Sequence, residues 1–286
     1  MNTSLSISPA IDYLVVGHLT RDIQGQDYHL GGSAAYVALT VKALGLRPGI
    51  ITAFADEDLV KPLQLESIPI INLPTLESTT FSNVTTPFGR LQTIHARADV
   101  LSAFLVPQNW RKVPILHLAP VAQEIEPEFV RIFPDSFIGI TPQGWLREWD
   151  EQGIVHPTEW PEASFILPYS NATVLSIEDV DYNEDLIEEF AASCHILAVT
   201  EAAEGCRVYW NGDVRRFHPP PNLIEVDSTG AGDIFAAAFF IRLFDTHDPW
   251  EAGRFATYLA SYSISRIGLD SIPTQEEIEN TLIEVY

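Results

Sequence analysis

Four consecutive residues, Gly230-Ala231-Gly232-Asp233, follow Asp227-Ser228-Thr229 and open an apolar run that begins at Ile234. A glycine-rich turn feeding a helix is an anion site: unpaired backbone N–H groups point outward, and the helix dipole adds roughly half a positive charge. Gly230 and Gly232 permit the tight turn and let a phosphate approach the main chain closely. Asp233 needs a reason of its own, because a carboxylate facing that space repels phosphate. A carboxylate that accepts a proton from an attacking hydroxyl, beside a nest that steadies the group in flight, is the arrangement phosphoryl transfer requires. The same residue reads equally well as a helix cap that complements the dipole.

A second glycine turn, Gly31-Gly32, precedes "SAAYVALTVKALGL", and upstream of it "VVGHLTRD" ends in Asp22. This pair is either a binding turn or a tight entry into a helix. Arg147 follows the end of an apolar run, where α/β proteins bind ligands, and reads either as a neutraliser of phosphate charge or as an exposed loop residue. Arg90 sits in "TTPFGRLQ" and reads as a flap residue closing over a ligand or as a solubilising side chain. Eight histidines are scattered without an i,i+4 pair, so a zincin-like site has no support. Neither a Walker A pattern nor a Gly-x-Ser-x-Gly elbow is present. A dinucleotide fingerprint fails as well, because Phe235 stands where its third glycine belongs.

These residues need elements to position them. Apolar runs rich in Val and Ile recur at Tyr13–Leu19, Gly49–Phe54, Ile115–Pro120, Phe137–Pro142, Phe165–Pro168 and His195–Thr200. Most of them read as strands buried on both faces, the mark of a parallel sheet covered by helices. Helical segments alternate with them, and Gly45 is placed as the left-handed residue that ends the first. The fold class expected is α/β. Thr79–Ala96 alternates polar and apolar residues around Thr-Pro-Phe-Gly and predicts a hairpin projecting as a flap. Asn211-Gly212 predicts a second hairpin at the edge of the main sheet. Ile224–Val226 reads as a strand ahead of the glycine turn, and three helices follow Gly230. With no repeat or linker, residues 1–286 are expected to form one domain with a small lid, built in part from about 79–96.

The chain of 286 residues is 46% hydrophobic and 19% charged, enough for a sizeable core. Thirty-nine acids against sixteen Lys plus Arg give a net charge of −23, which argues against binding nucleic acid or anionic membranes. Two cysteines, no signal-like start and no membrane-length apolar run point to a reduced cytoplasmic protein.

Together the motifs resemble the ribokinase-like (phosphofructokinase B) family of carbohydrate and nucleoside kinases. Its C-terminal signature, D-T-x-G-A-G-D-x-F, appears here as Asp227-Ser228-Thr229-Gly230-Ala231-Gly232-Asp233-Ile234-Phe235, and Gly31-Gly32 with Leu44-Gly45 matches its N-terminal one. The resemblance implies a three-layer α/β/α sandwich with a mostly parallel sheet and a small β lid. It implies an ATP-dependent kinase using Mg2+ to phosphorylate an alcohol group of a small sugar, polyol or nucleoside; the alternative is a non-catalytic binding protein on the same fold. By position Asp233 is the general base, and Gly230, Ala231 and Gly232 form the anion hole. Asp22, Gly31, Gly32 and Tyr36 face the acceptor, with Tyr36 standing where the family commonly has Asn. Thr200, Gly205 and Ala256 flank ATP, Asp179 touches the metal indirectly through a degenerate N-x-x-E element, and the lid offers a route to a homodimer.

Overall fold

The structure, a computed structural model, describes residues 10–25, 27–86, 89–221 and 223–283. From the N-terminus the strands are β1 (Tyr13–Val16), β2 (Thr20–Gln24), β3 (Asp27–Gly31), β4 (Pro48–Ala53) and β5 (Ile70–Leu73). Next come β6 (Thr80–Thr86), β7 (Gly89–Ala96), β8 (Ile115–Leu118), β9 (Phe137–Ile140), β10 (Arg147–Trp149) and β11 (Val155–Pro157). The last are β12 (Ala172–Ser176), β13 (Ile196–Thr200), β14 (Cys206–Trp210) and β15 (Asp213–Phe217). The helices are α1 (Ser33–Ala43), α2 (Lys61–Leu65), α3 (Ala163–Ile166), α4 (Glu184–Ser193), α5 (Ala231–Thr246), α6 (Pro249–Ser263) and α7 (Gln275–Ile283).

Nine strands form the main sheet in the order β15-β14-β13-β12-β9-β8-β1-β4-β5. All its pairings are parallel except β13–β14 and β14–β15. Strand β1 shows why the apolar runs are unbroken: Tyr13 and Val15 pack into the core on one face, Leu14 and Val16 into the core on the other. Helices α1, α5 and α6 cover the first face, and α3 and α4 cover the second. The mostly parallel α/β/α sandwich is therefore present. Asn211 and Gly212 carry φ of 52° and 81°, the mirror-image turn that the edge hairpin β14–β15 requires.

Helix α5 sits very close to the sheet. A Cβ on Gly139 of β9 would fall 2.5 Å from the Phe240 ring, so the glycine makes the seat for the helix. Beside it His117 takes the Tyr13 hydroxyl at Nδ1 (2.9 Å) and meets the Thr141 hydroxyl at Nε2 (3.0 Å). Burial pulls this imidazole down to about 3, so it is a neutral core histidine.

A second sheet, β3-β2-β6-β7, forms the lid. The lid thus contains the predicted hairpin, whose Pro87 and Phe88 lie outside the described residues, and also β2 and β3, which carry Asp22 and Gly31. Buried Glu124 braces the exits of β1 and β8 below it, accepting the amides of His18 (2.9 Å), Val121 (3.0 Å) and Ala122 (2.7 Å).

Two expectations are corrected. Phe165–Pro168 is not a strand; it spans the end of α3 and a following 3-10 turn, where Pro168 removes a ladder donor. The strand at that place in the sheet is β12, whose Ala, Thr and Ser gave little apolar contrast. Ile224–Val226 is not a strand either: it runs exposed along the surface, with the Val226 amide donating to the Ile264 carbonyl (2.7 Å). Among the described residues no helix is long and apolar enough to cross a membrane.

Candidate active site

The C-terminal ends of β9, β12 and β13, the N-termini of α1 and α5, and the lid enclose a cleft of about 1060 Å³. Two helix N-termini therefore point at one space, and each is opened by a glycine with positive φ, Gly32 at 86° and Gly230 at 80°. This is the backbone geometry that concentrates partial positive charge in an otherwise acidic protein.

Asp233 lies half-buried in the first turn of α5, on the cleft wall. Burial pushes its carboxyl up to about 6; a hydrogen bond from Ser33 and the charge of Arg147 work against that rise, while Asp179 and Asp22 add to it. A carboxylate with this value is ionised at neutral pH yet basic enough to receive a proton. Arg147 is the only Lys or Arg lining the cleft among the described residues.

The turn itself differs from expectation in one respect. The Ala231 amide donates to the Ser228 carbonyl (3.1 Å), so it is engaged within the turn. Among the described residues neither Gly230 nor Gly232 gives its amide to another backbone carbonyl. A Cβ on Gly232 would meet nothing within 4 Å, so this residue faces open cleft. Asp227 accepts the Thr229 amide (2.9 Å) and the Gly268 amide (3.0 Å), which ties the turn to the segment after α6.

At the lid end the cleft is lined by Thr20, Asp22, Gly32, Tyr36, Phe81 and Gln92. Thr20 donates its hydroxyl to Asp22 (2.7 Å). Gly31 leaves the space that the Asp22 carboxylate occupies, since a Cβ there would collide with it. At the opposite end stand Thr200, Gly205, Thr257, Ala260 and Ser261. Ala256 is fully buried in the core under this wall, because its side of α6 faces β14 and α5, and it is the next residue, Thr257, that reaches the cleft. Asp179 reaches the cleft floor while both its oxygens are used, by the Ser176 amide (2.9 Å) and the Gln143 side chain (3.2 Å). The side chain of Arg90 lies outside the described residues.

Sequence reasoning missed Ser33, Gln143, Gln92 and His156. Ser33 had a visible cue, a hydroxyl directly after Gly-Gly at a helix start. The others become neighbours only through long-range packing.

The pfkB family of carbohydrate kinases has a model that matches residues 169–276. The inositol 3-kinase of Zea mays is 25% identical over 289 aligned residues, spanning 91% of this chain and 74% of that protein. A pyrophosphate-dependent kinase of the ribokinase family, solved with a pyrophosphate analogue and myo-inositol, superposes with a TM-score of 0.78 at 19% identity, over 94% of this chain and 99% of the other. Arabidopsis thaliana ribokinase, solved with ribose and ATP, gives 0.75 at 16% identity, over 96% and 99%. The fold is thus the ribokinase-like one. The glycine turn Gly230–Asp233 falls within the stretch that the pfkB carbohydrate-kinase model matches.

Proposed function

We propose that the protein is an ATP-dependent kinase that phosphorylates a hydroxyl of a small polyol or sugar, with an inositol-like ring as the leading acceptor. The observation that carries the reading is Asp233, held with a raised carboxyl beside the glycine turn, between a lid end and a long donor end of one cleft. Asp22 and the Gly31-Gly32 turn hold acceptor hydroxyls, and Tyr36 closes the wall beside them. Asp233 takes the proton of the attacking hydroxyl as its oxygen bonds to the γ-phosphorus of ATP and the bond from that phosphorus to the bridging oxygen breaks, so that ADP leaves with the bridging oxygen. The Gly230 and Gly232 amides, with Arg147, balance the charge on the transferring group. The inositol assignment leans on the maize inositol kinase and on the myo-inositol complex among the structural relatives.

ATP rather than pyrophosphate is favoured by the far end of the cleft. Ala202, Ala203, Pro219, Leu223, Ala260 and Ile264 line it, an apolar slot suited to a base and of no use to a bare pyrophosphate. For magnesium, no group of three or more His, Cys, Asp or Glu converges among the described residues. Glu178 and the already hydrogen-bonded Asp179 fit an outer role toward an ion that keeps its waters and phosphate ligands. Such an ion supplies charge neutralisation on the donor phosphates.

The test is turnover with a panel of inositols, sugars and nucleosides against ATP and pyrophosphate separately. The expected result is ADP release with a cyclitol. Turnover with pyrophosphate alone replaces the donor, and ligand binding without turnover from either donor makes the protein a non-catalytic binder.

A further inference from the structure

Hairpin β10–β11 rises from the body just after β9 and carries Arg147 at its base, paired with Pro157. Its tip is braced by Asp150, whose Oδ1 accepts the amides of Gln152 (2.9 Å) and Ile154 (2.8 Å). The tip does not end in solvent. Ile94 of lid strand β7 donates its amide to the Gly153 carbonyl (2.8 Å), and Thr93 pairs antiparallel with Ile154. Gly153 has φ of 80°, and a Cβ there would collide with the Ile94 carbonyl, so only glycine lets the two strands meet.

Two further links join the same parts. Phe81 and Ile94 from the lid, and Val121 and Ala122 from the body, form a small core on which Trp149 and Val155 of the hairpin pack. Arg97, which follows β7, donates to the Gln123 carbonyl (2.9 Å), and the Gln123 side chain donates to the Arg147 carbonyl (2.5 Å). Lid strand and Arg147 are therefore connected by hydrogen bonds at both the tip and the base of the hairpin.

We propose that hairpin β10–β11 is a strap by which the lid positions Arg147 beside Asp233, with Gly153 as the positioning residue that lets the strap fasten to Ile94. The proposal rests on the kinase reading for its role in turnover, but the coupling itself belongs to the fold. A lid seated on an acceptor holds the strap, and the strap holds Arg147 against the group in transfer. A loosened strap leaves the acceptor pocket and the donor pocket intact and misplaces the charge.

The experiment compares the wild type, Gly153→Ala, Arg147→Met and the double variant. Steady-state turnover is measured with the acceptor found by the panel, the titration of the Asp233 carboxyl is followed by NMR, and amide exchange is read over residues 91–96. Gly153→Ala is expected to speed exchange at Ile94 and lower kcat about tenfold. It should also move the Asp233 titration upward, in the direction Arg147→Met does. In the Arg147→Met background it should change neither kcat nor the Asp233 titration further, because the group it positions is gone. Equal effects of Gly153→Ala on kcat and on the Asp233 titration in both backgrounds overturn the proposal. So does faster exchange at Ile94 with kcat and the Asp233 titration unmoved. If no acceptor is turned over, the kinase reading fails, while the titration and exchange still decide the strap. Asp150→Ala, which releases the tip without adding bulk, replaces Gly153→Ala if that variant does not fold.

Discussion

The ring of Tyr36 fills the space that a side chain on Gly230 would need. A residue of α1 on the cleft wall thus packs directly against the residue that opens α5. The odd residue of the N-terminal motif and the first glycine of the C-terminal one are a single packing unit. Gly230→Ala is expected to lower both stability and turnover, since a left-handed φ alone costs an L-residue about 1–2 kcal/mol and the methyl also meets the ring. In the Tyr36→Ala background, which carries its own cavity cost, Gly230→Ala should lower the melting temperature by less than it does in the wild type, because the methyl no longer meets the ring. Thermal unfolding of the two single variants and the double variant checks this.

Asp233→Asn should reduce kcat by about 10²–10⁴-fold, the usual worth of a positioned general base. Binding of nucleotide and acceptor, followed by calorimetry, should persist. Near-normal turnover in this variant would sink the assignment of the base.

Much of this centre was legible beforehand, and the reason is local. Gly31-Gly32 and Gly230-Ala231-Gly232-Asp233 each encode a turn and a helix start within a few residues, and Asn211-Gly212 encodes its hairpin in the same way. The runs at Tyr13, Ile115 and Phe137 were legible because a strand buried on both faces is apolar throughout. What was not legible depends on partners far along the chain. Ser33 meets Asp233 only because α1 and α5 lie side by side, and Gln143 meets Asp179 only because β9 and β12 are neighbours. Phe165–Pro168 misled because four apolar residues carry no period that separates a strand from a helical turn.

The raised carboxyl of Asp233 fixes a pH profile. As a base it must be ionised, so kcat/KM should fall about tenfold per pH unit below its value of about 6 and level off above it. Ser33 and Arg147 both favour the ionised form, so Ser33→Ala and Arg147→Met should each move the acidic limb to higher pH. A pH–rate series on the three proteins tests the direction.

The same shift has a sign for stability. The folded carboxyl binds its proton more tightly than the ordinary value of 3.8, so ionising it works against the fold. Its unfavourable contribution is absent below 3.8 and complete above about 6. Asp233→Asn should therefore melt higher than the wild type at pH 8, with the difference vanishing by pH 3, at about 2–4 °C for each kcal/mol.

Glu124 answers three buried amides with one carboxylate. Glu124→Gln keeps the shape but turns one acceptor oxygen into a donor facing those amides. A loss of about 1–3 kcal/mol is expected, measured by urea unfolding, with the larger effect in Glu124→Ala.

The seat of α5 over Gly139 places the reaction centre under the control of a side chain that is not there. Phe240 lies two helical turns from Asp233 on the same rigid rod, so any substituent at position 139 tilts or lifts that rod and carries the carboxylate with it. The placement of the Asp233 carboxylate is thus set where the helix meets the sheet, at a position outside the lining of the cleft. A screen for loss of turnover would find it there, with every residue of the cleft unchanged.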